Sequence, residues 1–152
     1  MKKSLVCIAI LITAFTITFA QNKFDYAKET GITIGDKAES AVKILNSFEC
    51  KNDSTGNFAG CKVTYKYNCT LKFLDFTYSN LGVGIKDEEV FFLIIDGIKT
   101  DETSWDDFTD MLASKSNKRL KQDASDAMWY YFDNCTILTQ PDVFKLIISK
   151  TK

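Results

Sequence analysis

Alternating apolar and polar residues form the clearest pattern in the chain. Between Cys61 and Phe73, the odd-numbered positions carry apolar, aromatic or cysteine side chains, and the even-numbered positions are polar. A period of two over this length predicts a β-strand with one face turned towards a core. The phase changes at Leu74, which predicts a β-bulge or bend there.

Other apolar segments predict further strands. Residues 90–95 form a continuous apolar run between acidic residues and an Asp-Gly pair, which predicts a central strand buried on both faces. Short strands are predicted at residues 136–138 and 143–149, on either side of Pro141. Residues 79–82, Ser-Asn-Leu-Gly, predict a turn.

Helical spacing of apolar residues occurs in three places. Residues 36–48 predict an amphipathic helix, and a second helix is predicted to begin at Ser104. A third helix is predicted over residues 117–132, because apolar residues recur there at helical intervals. They are Leu120, Ala124, Ala127, Met128 and Tyr131.

These elements predict the fold class. Helices and strands follow one another in the order α-β-β-β-α-α-β-β, and the short connections between strands favour antiparallel pairing. We therefore expect an α+β domain with an antiparallel sheet of about four to five strands. An N-terminal helix and a central two-helix segment are expected to pack on that sheet.

The N-terminus has the features of a secretory signal. Lys2 and Lys3 precede an uncharged apolar run from residue 5 to Ala20, which is short for a membrane-spanning helix. We predict that residues 1–20 are a cleaved signal peptide and that residues 21–152 form a single compact domain. The predicted location is extracytoplasmic, either secreted or periplasmic, with no membrane span after cleavage.

Four cysteines follow the predicted cleavage site: Cys50, Cys61, Cys69 and Cys135. An even number behind a signal peptide favours two disulfides. Sequence alone leaves three pairings open, and we favour Cys50–Cys61 with Cys69–Cys135. The first pair would close a polar loop, and the second would tie the alternating strand to the end of the predicted last helix.

Three Asn-x-Ser/Thr sequons begin at Asn52, Asn68 and Asn134. They are candidate N-glycosylation sites if the source is eukaryotic and carry no meaning if it is bacterial. Asn68 lies on the polar face of the alternating strand, whereas the neighbouring Cys69 lies on its apolar face. The sugar and the disulfide are therefore sterically compatible.

Composition excludes several classes of function. The chain has 19 basic and 20 acidic residues, one arginine and no histidine. A nucleic-acid-binding protein should show a basic face, so no nucleic-acid partner is expected. The lack of histidine removes Ser-His-Asp and Cys-His catalysis and every histidine-ligated metal site. No catalytic residue, cofactor or metal is predicted.

An acidic cluster is the remaining candidate for catalysis. A carboxylate-dependent hydrolase needs two acids in one cleft, one of them with a raised pKa. The acids here crowd the start of a predicted helix, where the helix dipole stabilises negative charge, so we interpret them as structural. They are Asp101, Glu102, Asp106, Asp107 and Asp110.

Four consecutive aromatic residues, Trp129, Tyr130, Tyr131 and Phe132, are the candidate binding residues. On a helix they would point in four directions, so they are either buried all round or partly exposed as an apolar patch. An exposed patch of this kind suits stacking on sugar rings or docking of a protein.

The functional prediction is a non-catalytic extracytoplasmic binding or interaction domain. Its partner is a protein, a glycan or a small apolar ligand that the sequence does not identify. The alternative is a carrier of a small apolar ligand in an internal pocket lined by some of the 12 phenylalanines. A carboxylate-dependent hydrolase is the third candidate.

Overall fold

The computed structural model describes residues 22–121 and 125–151. The predicted signal peptide, residues 1–20, lies outside the described residues. The helices are α1 (Tyr26–Thr30), α2 (Ala38–Ser47) and α3 (Glu102–Lys115). The strands are β1 (Asn52–Phe58), β2 (Cys61–Tyr67), β3 (Leu71–Phe73), β4 (Phe76–Lys86), β5 (Glu89–Lys99), β6 (Lys118–Lys121), β7 (Met128–Tyr131), β8 (Thr136–Gln140) and β9 (Lys145–Ser149).

The nine described strands form one antiparallel sheet in the order β1-β2-β4-β5-β9-β8-β7-β6, with β3 paired to β4. Strands β1 and β6 are therefore the two ends of this order, and the three-residue β3, whose one described partner is β4, is a further short edge. The expected sheet of four to five strands with a central two-helix segment is wrong, because the sheet has nine described strands and the described residues of that segment contain one helix, α3. Among the described residues, no helix has the length and hydropathy needed to cross a bilayer.

All three helices contribute to one core on one face of the sheet. Leu45 of α2 and Leu112 of α3 are fully buried there against strand residues such as Leu93 and Ile95. The predicted helices at residues 36–48 and from Ser104 are confirmed as α2 and α3. Asp101 caps α3, since its carboxylate accepts a hydrogen bond from the Ser104 N–H at 2.8 Å.

The predicted helix over residues 117–132 is wrong. Its described parts are the strands β6 and β7, which pair with each other, and Leu120 lies opposite Trp129. Aromatic residues favour strands, and in β7 they alternate between the two faces of the sheet. The helical spacing of the apolar residues is therefore coincidental. The preference of residues 128–131 for extended structure decides the local conformation.

The segment containing Leu74 and the following strand differ from expectation in two ways. Leu74 and Asp75 form a two-residue turn between the paired residues Phe73 and Phe76, in place of the expected bulge or bend within one strand. The turn predicted at residues 79–82 is wrong, because these residues lie inside β4. Strands were correctly predicted at residues 90–95, 136–138 and 143–149, which fall within or overlap β5, β8 and β9.

The disulfide pairing also differs from the one we favoured. Cys50 is bonded to Cys69, and neither Cys50–Cys61 nor Cys69–Cys135 forms. Cys61 and Cys135 are buried free thiols that belong to separate apolar clusters. One disulfide is compatible with an extracytoplasmic location, because such bonds persist in oxidising compartments.

Candidate functional site

The candidate site is the face of the sheet opposite the helices, which we call the open face. Strand β5 shows the division: Leu93 and Ile95 belong to the helix-covered core, whereas Phe92 and Ile94 belong to a second, smaller cluster. That cluster also contains Val63, with Tyr65 and Ile147 packed against it. The prediction that this strand is buried on both faces is therefore confirmed.

One row of side chains crosses the open face from strand to strand. In an antiparallel sheet, residues directly opposite each other point to the same face. The register therefore aligns one residue from each of seven neighbouring strands, most of them apolar. The row runs Tyr65, Gly82, Ile94, Ile147, Leu138, Trp129 and Leu120.

Glycines let two aromatic rings lie flat on the open face. A Cβ atom on Gly82 would come within 2.5 Å of the Tyr65 ring, and one on Gly84 within 2.3 Å of the Phe92 ring. Both distances are far below ordinary carbon contacts, so only glycine fits under each ring. The rings thus cover part of the open face where no described helix packs.

The four consecutive aromatic residues separate into two pairs. Tyr130 and Phe132 are buried in the helix-covered core, and burial raises the pKa of Tyr130. Trp129 and Tyr131 point to the open face and are half-buried. The four residues therefore do not form one binding surface.

The surroundings of Trp129 and Tyr131 are more exposed than the centre of the row. Leu120, opposite Trp129, is 43% exposed. The Lys118 Nζ lies 6.0 Å from the centre of the Tyr131 ring, a cation–π contact. This end of the open face therefore offers apolar and aromatic surface next to a positive charge.

A polar margin flanks the other side of the row. Asp96 forms a salt bridge of 3.1 Å with Lys145 and lies opposite Asn80. Burial raises the pKa of Tyr65, with smaller contributions from Tyr67 and from the negative charge of Asp96. Tyr65 and Tyr67 stack with their ring centres 5.7 Å apart. This margin therefore combines the charges of Asp96 and Lys145 with the hydroxyl groups of Tyr65 and Tyr67.

Among the acidic residues, Asp101 does not have the environment of a general acid. Hydrogen bonds from the backbone and side chain of Ser104 hold the pKa of Asp101 below its ordinary value, opposite to what a general acid requires. The remaining acids lie along α3. Within residues 22–121 and 125–151, no group of three or more acidic or cysteine side chains could hold a metal ion.

The candidate glycosylation sites differ in their surroundings. Asn52 and Asn68 are exposed. The Asn134 side chain accepts a hydrogen bond from the Phe24 N–H at 3.0 Å and donates one to the Phe24 carbonyl at 2.9 Å. The Asn134 amide thus joins the N-terminal segment to the β7–β8 connection, which gives it a structural role.

The grooves found on the described surface are open to solvent. One, of about 480 Å³, lies between α3 and the β3–β4 turn and is lined partly by Phe76, Phe108 and Met111. A carrier of an apolar molecule needs a pocket that encloses most of its ligand. This groove does not provide such a pocket.

The chain matches no known protein family, and no curated protein or solved structure shows significant similarity to it. The candidate site therefore depends on the geometry alone. Sequence reasoning missed Tyr65 and Leu120 as members of the open face. The two glycines of β4 could have indicated a close approach of side chains to the strand, but Gly82 was interpreted as a turn residue and Gly84 was not considered.

Proposed function

We propose that this protein is a non-catalytic extracytoplasmic domain that binds a protein partner through its open face. The observation that carries the proposal is the apolar row across the face without helices, which ends in half-buried Trp129 and exposed Leu120. Ile94 and Leu138 at the centre of the row are buried, so the exposed apolar surface lies at the end with Trp129 and Leu120. Exposed apolar and aromatic side chains grouped in this way mark a site of interaction.

A protein suits this surface better than a small molecule does. Small-molecule sites are concave and enclose most of the ligand, whereas Trp129 and Leu120 lie side by side on the surface of the last two strands of the sheet. Protein interfaces combine an apolar, aromatic centre with a polar rim. Here Trp129 and Leu120 would form the centre, and Lys118 and the Asp96–Lys145 pair would lie towards the rim.

The other two candidate functions have less support and stay predictions. The carrier would need an enclosed pocket in place of the open groove beside α3. The hydrolase would need an acid with a raised pKa, whereas the pKa of Asp101 is lowered. A glycan ligand is an alternative outcome of the experiment below.

Site-specific photo-crosslinking tests the proposal. A photoreactive amino acid is placed at Leu120 on the open face or, as the matched control, at exposed Asp110 on α3. Both proteins are then exposed to the extracellular material of the source organism and irradiated. We expect a discrete protein adduct from position 120 and none from position 110.

A second variant connects the adduct to the apolar row. Replacing Trp129 with Ala should abolish the adduct at position 120 and leave the fold intact by circular dichroism, because Trp129 is only half-buried. An adduct from position 110 alone would refute the proposal, as would an adduct that persists without Trp129. If position 120 crosslinks to a sugar and not to a protein, the proposed partner becomes a glycan.

A further inference from the structure

Strand β1 is a regular and open edge of the sheet. All seven of its residues are exposed, and each is paired with a residue of β2 without a shift in register. In the part of the chain that the structure describes, no segment pairs with the outer side of β1. Its outward N–H and C=O groups therefore form a template for another strand.

The two strands at the ends of the sheet carry different charges. Strand β6 has three basic residues among its four, and such charges prevent edge-to-edge association. Strand β1 contains no lysine or proline. Its single charged residue, Asp53, is neutralised by Lys66 at 3.2 Å.

These charges decide which edge a second copy of the chain can use. A two-fold symmetric contact places a surface against itself, so a charged edge repels its own copy. The basic β6 edge is excluded on this ground. The neutral β1 edge is free of this repulsion.

We propose that two copies of this protein pair through β1, antiparallel about a two-fold axis at Thr55. This pairing places Thr55 opposite its own copy and Asp53 opposite Asn57 of the second copy. No like charges face each other across the contact. The two nine-stranded sheets become one continuous sheet, held by main-chain hydrogen bonds.

The charged residues next to the contact are compatible with this register. Within one copy, Asn57 lies opposite Lys62, and Asp53 lies opposite Lys66. In the dimer, the row across the contact therefore reads Lys66, Asp53, then Asn57 and Lys62 of the second copy. Asp53 keeps its ion pair with Lys66 and faces a neutral asparagine across the contact, while Lys62 of the second copy lies one strand further away. No like charges are neighbours across the contact, where they would destabilise the pairing.

Pairing through β1 also covers an exposed aromatic residue. Phe58 is 48% exposed at the end of β1. The proposed register places it opposite Asn52 of the second copy, on the open face. Because the contact is made at the edges, both open faces stay accessible, and the dimer would present its partner-binding surface twice.

Charge substitutions at the two-fold axis test this register. Analytical ultracentrifugation of unglycosylated protein from a bacterial periplasm should show a dimer that dissociates on dilution. The variants Thr55→Lys and Thr55→Glu each place like charges opposite each other, so each should raise the dimer dissociation constant by on the order of fivefold. Mixing the two variants should restore dimers, because a lysine then faces a glutamate.

The matched control is Leu120→Lys on the opposite edge strand, which should leave the dissociation constant unchanged. Thr55 and Leu120 are both exposed, so these variants should keep the wild-type circular dichroism spectrum. A wild-type protein that stays monomeric up to millimolar concentration would overturn the proposal. So would a dimer that resists both Thr55 variants, or one that only Leu120→Lys weakens.

Discussion

Gly84 lies beneath the ring of Phe92, and replacing it with alanine tests how the open face is packed. The added Cβ would lie 2.3 Å from the Phe92 Cζ, whereas carbon atoms normally approach to about 3.5–4.0 Å. The ring would have to move by more than about 1 Å to restore that distance. Phe92 is only 3% exposed, and its ring packs edge-on against Phe58 at 5.7 Å, so there is little room for it to move.

The expected cost follows from overpacking a filled site, which destabilises proteins by about 1–3 kcal/mol. Alanine also restricts the unfolded chain more than glycine does, which contributes about 0.5–1 kcal/mol in the opposite direction. Gly56→Ala is the matched control, because a Cβ at Gly56 in β1 has no neighbour within 4 Å. The difference in unfolding free energy between the two variants therefore isolates the clash, at about 1–3 kcal/mol.

Urea unfolding followed by circular dichroism measures this difference. Both variants should unfold with the wild-type slope, and only Gly84→Ala should have a lower midpoint. In a Phe92→Leu background, which removes the ring, Gly84→Ala should cost much less, and this non-additivity assigns the cost to that contact. If Gly84→Ala is as stable as Gly56→Ala, the ring does not cover the glycine and our account of the open face is wrong.

Three further predictions follow from buried groups. Cys61 and Cys135 should not react with a thiol reagent in the native protein, since both are buried and burial raises the pKa of Cys135 to about 12. Denaturation should expose both thiols. Burial raises the pKa of Tyr78 above its ordinary 10.0, so the unfolded chain ionises first. The unfolding free energy should then fall above about pH 10, and by less in Tyr78→Phe, in urea titrations at each pH. Asn134→Ala should cost about 1–3 kcal/mol in urea unfolding, because it leaves the partly buried N–H and C=O of Phe24 without their partner.

Segments with one dominant pattern could be predicted from the sequence. The apolar run of residues 90–95 lies in β5, and the helical stripe of residues 36–48 forms α2. In each case the local pattern agrees with the burial in the fold. A central strand is buried on both faces, and a helix that packs on a sheet buries one face. The same rule predicts one strand from Cys61 to Phe73, which is wrong in its extent: the chain forms β2 up to Tyr67 and a separate β3 from Leu71, with Asn68 in a left-handed conformation between them.

The candidate site could be predicted only in part. The aromatic residues 129–132 were selected as candidate binding residues, but a helix was assumed. A strand sends Trp129 and Tyr131 to one face and Tyr130 and Phe132 to the other. The full row was beyond local reasoning, since it is assembled from seven strands that are distant in sequence. Sheet order depends on long-range pairing, which no local period encodes.

The disulfide shows what was missing from the sequence interpretation. The β1–β2 register pairs Asn52 with Tyr67 and Phe58 with Cys61, so the hairpin turns at Ala59-Gly60. Continuing that register by two residues places Cys50 opposite Cys69, and their Cα atoms are 4.3 Å apart, as in directly opposed residues of an antiparallel pair. The pairing therefore follows from the hairpin. Strand β1 gave no sign of that hairpin, because its residues are mostly weak strand formers and all are exposed, which leaves no apolar period to detect.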